Sequence, residues 1–316
     1  MVIRVSFFTV WALLKAQFPQ TRLFIAVFSI FSPYIQRVEN MFIKINEFFR
    51  RKNNFPDFFI VGAQKAGSTA LCEYLALHPD IAPPKIKEPH YFNLEENYKK
   101  GVQYYQSLLP PRTANKLIFD ASPGYLVNKK AAKRIFRHNP DAKILIILRE
   151  PASRAYSAWN MYQPRFRKER DWFFKEWVNK GQKILRREDN RIFDFLTYVE
   201  DEIELEKKDA SAFMEAPVLV HGKYVEQIKL FLKYFPAKNI FITESSEFLK
   251  NTAQCLKKIE RFLGISSINW DDHNLTPVFT GNYAEGIGLE AKTLLKEYYS
   301  EKNEALFNLL GKRYNW

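Results

Sequence analysis

Short, unbroken apolar runs recur along this chain at FFIV (58–61), KLIF (116–119), KILIIL (143–148) and NIFI (239–242). Runs of this length suit strands buried on both faces, and such strands belong to parallel sheets covered by helices. Helical periodicity fills the intervals. Ala70, Leu71, Tyr74 and Leu75 share one face, and Leu249, Ala253, Leu256, Ile259 and Leu263 repeat at helical spacing. HGKYVEQIKLFLKYFP (221–236) reads as an amphipathic helix stopped at Pro236. Strand and helix alternate, which predicts an α/β fold with a three-layer, doubly wound parallel sheet. Polar residues follow every run: Gly62 to Thr69, Asp120 to Ser122, Arg149 and Glu150, and Thr243 to Ser245. Open α/β sheets bind ligands beyond the carboxyl ends of their strands, so the candidate chemistry converges on one edge.

A chain of 316 residues suffices for one large domain with appendages or for two small ones. Its 47% hydrophobic and 16% aromatic content argues against disorder on the scale of the whole chain. The net charge of +13 calls for an anionic partner: a polyphosphorylated cofactor, an acidic glycan, a nucleic acid or an anionic membrane. Charge alone does not choose among them. Cys72 and Cys255 each lie in an apolar helical pattern and read as reduced core thiols. There is no metal-ligand spacing and no disulfide framework, so no metal is expected.

The charged, Asn- and Pro-containing stretch RRKNNFPD (50–57) marks a boundary. It separates an apolar and basic N-terminal helical segment, 1–52, from a main domain, 56–316. VSFFTVWALL (5–14) and LFIAVFSIFSPYI (23–35) are interrupted by Lys15 and Arg22 and fall short of the roughly 20 apolar residues of a spanning helix. No small-residue cleavage site follows the first run. Two readings stay open. These helices lie in a membrane interface, aided by Lys44, Arg50, Arg51 and Lys52, or they pack on the main domain. The expected location is cytoplasmic, peripheral to a membrane if the first reading holds.

The segment GAQKAGST (62–69) joins the first strand to a helix. Gly62 and Gly67 allow the backbone to turn and to approach a ligand. The amides that open the helix point outward, the helix dipole adds positive potential, and Ser68 and Thr69 add hydroxyls. An anion site is implied. Its lysine, Lys65, precedes the second glycine, whereas a nucleoside-triphosphate loop has lysine directly after it.

FFIVGAQKAGSTALCEYLALHPDI resembles the 5′-phosphosulfate loop of sulfotransferases that use 3′-phosphoadenosine 5′-phosphosulfate (PAPS), and heparan sulfate-type and bacterial members in particular. The resemblance implies a P-loop-like fold and PAPS as the sulfuryl donor. Lys65, Ala66, Gly67, Ser68 and Thr69 would form the phosphosulfate site, with Lys65 at the bridging oxygen where charge develops. ILIILREPASRAYSAWNMY (144–162) resembles the family's second motif, which implies that Arg149 and Ser157 hold the 3′-phosphate. The planar fork of arginine suits that role. KIKEPHYFN (85–93) resembles the segment carrying the family's general base, which implies Glu88 as the base. His90 is the runner-up, with a near-neutral unperturbed pKa in its favour. On their own, Lys87 and Glu88 would pass for solvated loop charges.

The resemblance covers roughly residues 56 to 316. FDASPGYL (119–126) follows it, but Ala121 stands where some glycosaminoglycan-modifying members have lysine. The terminal cysteine pair and Lys-Gly-Arg loop of many such members are also missing, and HNLTPVFTGNY (273–283) stands where that loop would be. The basic, aromatic segment 163–189 reads as an amphipathic lid, as the lining of an oligosaccharide site, or as both. The expected activity is sulfuryl transfer to a hydroxyl, or less readily an amine, of a carbohydrate-like or lipid-like acceptor such as a glycolipid. No nucleic-acid partner is expected. The rivals are a P-loop nucleotide kinase or NTPase and a non-catalytic module that binds anionic glycan or membrane.

Overall fold

The computed structural model describes residues 54–113, 115–168, 184–185, 194–208, 213–214, 217–275 and 286–316. The N-terminal segment 1–52 lies outside the described residues. The core of the described residues is a five-stranded parallel sheet made of β1 (Phe58–Gly62), β2 (Ile81–Ala82), β3 (Leu117–Ala121), β4 (Lys143–Leu148) and β5 (Ile240–Glu244). The order across the sheet is β2-β3-β1-β4-β5. The apolar runs supply the four longer strands, and β4 is buried at every residue except Lys143. Phe58 pairs with Phe119 in register, and their rings stack at 4.8 Å. The two-residue β2 carried no readable pattern of its own; it exists because it pairs with β3.

The helices are α1 (Ser68–Ala76), α2 (Glu95–Lys99), α3 (Gly101–Leu108), α4 (Ala131–His138), α5 (Pro151–Lys168), α6 (Phe195–Lys208), α7 (Tyr224–Leu232), α8 (Ser245–Lys250), α9 (Thr252–Leu263) and α10 (Leu289–Leu310). From β1 the chain moves one way to β3 and then returns across β1 to β4. Right-handed crossovers therefore place α1 and α4 on opposite faces of the sheet. Side-chain contacts agree. His78, just past α1, meets Glu260 of α9 and Trp270, while Phe136 of α4 packs on Tyr234 and Phe235 after α7. β1 lies where the strand order reverses, the place at which such sheets open a crevice.

Two helical readings need correction. The 249–263 pattern is not one helix. Asn251 adopts φ −134° and ψ 50°, which ends α8 and starts α9, and Leu249 is 53% exposed. The helix read from residue 221 starts at Tyr224, because Val220–Gly222 forms a 3-10 turn. Cys72 and Cys255 are buried free thiols, as expected.

A second core joins α5, α6 and α10. Its polar centre grips the segment 218–222. The fully buried Arg154 of α5 donates to the Val218 carbonyl. Glu202 of α6 accepts the Val218 and Leu219 amides at 2.9 Å each, and Tyr299 of α10 donates to the Leu219 carbonyl at 2.7 Å. Burial pushes Glu202 up to about 7, against the pull of these amides and of Arg154. Burial, with Arg154 adding to it, pushes His221 down to about 3.

These shifts have opposite consequences. Between about pH 3 and 6.5 unfolding takes up a proton at His221, so its contribution to stability is lost as pH falls. Between about pH 4.5 and 7 unfolding releases a proton from Glu202, so stability is lost as pH rises. The two nearly cancel where they overlap. Replacing His221 with Asn is expected to remove the first slope alone. The stability difference between wild type and variant, from urea titrations, should change by about 1.4 kcal/mol per pH unit across the His221 window. A difference independent of pH would show that His221 is not held neutral.

Candidate active site

The loop after β1 is stitched to the strands on both sides. Ala63 N–H donates to Ile147 O at 2.7 Å, and Leu126 N–H donates to Val61 O at 2.8 Å. The second contact brings the turn after β3 so close that a Cβ on Gly62 would stand 2.7 Å from Leu126 Cβ. Gly67 precedes α1 with φ 106° and ψ 12°, a conformation that L side chains rarely adopt. No side chain caps α1. The helices that directly follow β4 and β5 differ. Glu150 accepts the Ala152 and Ser153 amides of α5, and Glu244 accepts the Ser246 and Glu247 amides of α8. The amides that open α1 thus have no acceptor from a capping side chain, the arrangement in which a helix end accommodates an anion.

Within the loop, Ala66 and Ser68 are buried, and Lys65, Gly67 and Thr69 are partly exposed. The Lys65 carbonyl accepts Arg149 Nη1 at 3.1 Å. Tyr162 of α5 donates to Gln64 Oε1 at 2.9 Å, and Tyr224 donates to the Arg149 carbonyl at 2.8 Å. Arg149 therefore braces the very loop that carries Lys65. Ser157 is buried about two turns into α5, on the helix that Arg149 leads into.

The 85–93 segment reaches the same place from the other side. Lys87 Nζ donates to Thr69 Oγ1 at 2.8 Å and stands 3.7 Å from Glu88 Oε1. His90 Nε2 lies 3.3 Å from Glu88 Oε2. The Glu88 side chain is 36% exposed and that of His90 only 11%. Among the described residues, the non-glycine residues with positive φ are Lys65 at 66°, Glu88 at 57° and His90 at 49°. Each such conformation costs roughly 1–3 kcal/mol and persists only where surrounding contacts over-determine it. All three are residues singled out from the sequence as catalytic candidates.

Arg149 holds the Lys65 carbonyl, and the contacts of the 88–91 segment centre on Asp120, the buried carboxylate near the end of β3. Tyr105 and Tyr125 donate to its Oδ2, and Ser122 donates to its Oδ1, each at 2.7 Å. Two of these hydroxyls also accept backbone amides of the facing loop. His90 N–H reaches Ser122 Oγ at 3.4 Å, and Tyr91 N–H reaches Tyr125 OH at 3.1 Å. An amide can only donate, so the proton of each hydroxyl must point to Asp120. Burial raises the Asp120 pKa, opposed by the three hydroxyls.

This relay, and Lys87, were not recognised from sequence. The available signal was an aspartate closing an apolar strand run, since a buried carboxylate needs partners. Most of the expected lid (169–183 and 186–189) and residues 276–283 of the expected 3′-phosphate region lie outside the described residues. Among the described residues no group of three His, Cys, Asp or Glu is disposed to hold a metal ion, and no helix is long and apolar enough to cross a membrane.

The sulfotransferase-domain family model matches residues 55–278. Heparan sulfate glucosamine 3-O-sulfotransferase 3B1 of Mus musculus is 25% identical over 282 residues, covering 83% of this chain and 65% of that protein. The bifunctional heparan sulfate N-deacetylase/N-sulfotransferase 1 of Caenorhabditis briggsae is 28% identical over 239 residues, covering 70% of this chain and 24% of that protein. The chain thus spans less than two thirds of the length of either relative. The crystal structure of a sulfotransferase from Alicyclobacillus acidocaldarius superposes with a TM-score of 0.59 at 24% identity, covering 82% of this chain and 97% of that one. At that identity the likeness is one of fold.

Tyr105 and Tyr125 bond to the same Asp120 oxygen, yet only Tyr125 also receives a backbone amide. Tyr105→Phe should therefore cost about 1 kcal/mol of unfolding free energy. Tyr125→Phe should cost about 1–3 kcal/mol more, because it leaves the buried Tyr91 amide unpaired. Urea denaturation of both variants checks the contrast, and equal losses would refute the relay.

Proposed function

The chain belongs to the sulfotransferase-domain family, and from that premise we propose that it transfers a sulfuryl group from PAPS to a hydroxyl of a carbohydrate acceptor. The observation that carries this reading is the uncapped N-terminus of α1, with Lys65 in its loop and the Glu88 segment tied across it through Thr69. The donor end rests on an array of positive and N–H groups: the α1 amides, Lys65 and the hydroxyls of Ser68 and Thr69. Arg149 and Ser157 are the proposed 3′-phosphate ligands. Both relatives named above act, by their names, on heparan sulfate, which supports a carbohydrate acceptor.

PAPS is a co-substrate that supplies an activated sulfuryl group. In the transfer, an S–O bond to the acceptor oxygen forms as the S–O bond to the 5′-phosphate breaks. Glu88 takes the proton of the attacking hydroxyl, which would otherwise be a weak nucleophile. The electron pair of the broken bond stays on the bridging oxygen, where the Lys65 ammonium balances the developing charge. The products are a sulfate ester and 3′-phosphoadenosine 5′-phosphate (PAP). His90, beside the second Glu88 oxygen, orients the carboxylate.

A nucleotide-hydrolysing alternative requires a carboxylate at the strand beside β1 to hold Mg²⁺. Asp120 occupies that strand, but hydroxyls engage both of its oxygens. A binding-only module would give no turnover. Transfer of radiolabelled sulfuryl from PAPS into polysaccharide acceptors tests the function directly. No labelled product, together with no thermal protection by PAP, would reject it.

The residue roles lead to separate expectations. Arg149→Ala should weaken PAP binding by tenfold or more beyond its effect on adenosine 5′-monophosphate, which lacks the 3′-phosphate. Some loss for both ligands is expected, because Arg149 also braces the Lys65 carbonyl. Equal losses in calorimetry would reject the 3′-phosphate role. Glu88→Gln should lower turnover by roughly 10² or more, within the range for loss of a general base, and leave PAP affinity almost unchanged. If His90→Ala instead gives the larger fall, the base is His90.

A further inference from the structure

We propose that Lys87 is a further substrate-contacting residue, whose ammonium sets the Thr69 hydroxyl as a donor toward the phosphosulfate and binds an oxygen of the transferring sulfuryl group. The proposal rests on the sulfotransferase reading and adds to it a cation placed between the donor loop and the base.

The geometry is specific. The Lys87 side chain crosses from the 85–93 segment to a residue 18 positions earlier, meeting Thr69 Oγ1 at 2.8 Å, while standing 3.7 Å from Glu88 Oε1. An ammonium has only donors, so Thr69 must accept this bond and keeps its own hydroxyl proton for another acceptor. That proton sits at the second residue of α1, where the uncapped amides already favour an anion. An anion oxygen that takes it lies within roughly 5–6 Å of Lys87 Nζ, two hydrogen bonds away. The side chain is 40% exposed, open enough to meet a ligand. Its backbone is nonetheless held, since the neighbouring His90 and Tyr91 amides bond to the Asp120 relay.

Electrostatics supports the same conclusion. A cation beside the positive N-terminal end of a helix is unfavourable by itself. Here Lys87 meets that end beside the Glu88 carboxylate, and the Arg149 guanidinium lies against the same loop at the Lys65 carbonyl. A bound anion at that end offsets the unfavourable placement of the Lys87 ammonium, and the sulfuryl group is the part of the donor that must lie toward Glu88.

PAPS and PAP differ by the sulfuryl group alone, so their affinities isolate this contact without a known acceptor. Calorimetry with both ligands is applied to the wild type, Lys87→Met and Lys87→Arg. Lys87→Met should lose at least about tenfold more affinity for PAPS than for PAP, as expected for a charged hydrogen bond. Lys87→Arg keeps the charge and should recover most of it. Equal losses for the two ligands, or no loss for either, would overturn the role of Lys87 and leave the sulfotransferase reading standing. A wild type that binds neither ligand would overturn that reading and this one together.

Discussion

A buried carboxylate organises the loop that carries Glu88. Asp120 could not remain in the sheet without partners, since an isolated charge there would be expelled or neutralised. Three hydroxyls satisfy it, and two of them pass the constraint on to the backbone of His90 and Tyr91. The segment bearing Glu88 is thus fixed to β3 although it forms no strand or helix itself. A network of this kind either satisfies every member or fails as a unit, because the low dielectric that strengthens its bonds also penalises any unpaired group.

The loop between β1 and α1 is held by a different device. Gly67 supplies a left-handed backbone without a cap, and Arg149 takes the Lys65 carbonyl from the end of the neighbouring β4. Lys65, Glu88 and His90 all occupy the left-handed region, so both halves of the site store local strain that their tethers balance. Where the halves meet, Lys87 and Thr69 close the contact. Adjacent helices at the same sheet edge are capped by Glu150 and Glu244, which leaves α1 as the helix positioned to receive a ligand anion.

The second core bears on the site at a distance. Arg154, Glu202 and Tyr299 clamp the segment 218–222, and Tyr224, two residues later, holds the Arg149 carbonyl. The C-terminal Trp316 packs on the Tyr224 ring at 5.9 Å. The placement of Arg149 therefore depends on contacts from α7 and the chain end as well as on its own strand.

The sequence alone determined the class of fold and the strand–turn–helix junction proposed to hold the donor. Continuous apolar runs have one economical solution, a parallel sheet with both faces covered, and four of the five strands were legible for that reason. Lys65, Gly67, Ser68 and Thr69 were legible because a strand–turn–helix junction is a local structure, encoded within eight residues. Tertiary structure decided whatever depended on partners distant in sequence. β2 is too short to carry a period and is defined by β3. The break at Asn251 separates helices that share an unbroken apolar spacing. Lys87 and Glu88 look like solvated charges until Thr69 faces them, and Asp120 looks like a strand-end polar residue until Tyr105, Tyr125 and the 90–91 amides close around it. Spacing along a chain records which face a residue shares with its neighbours; only the folded arrangement records which charge it meets across a gap.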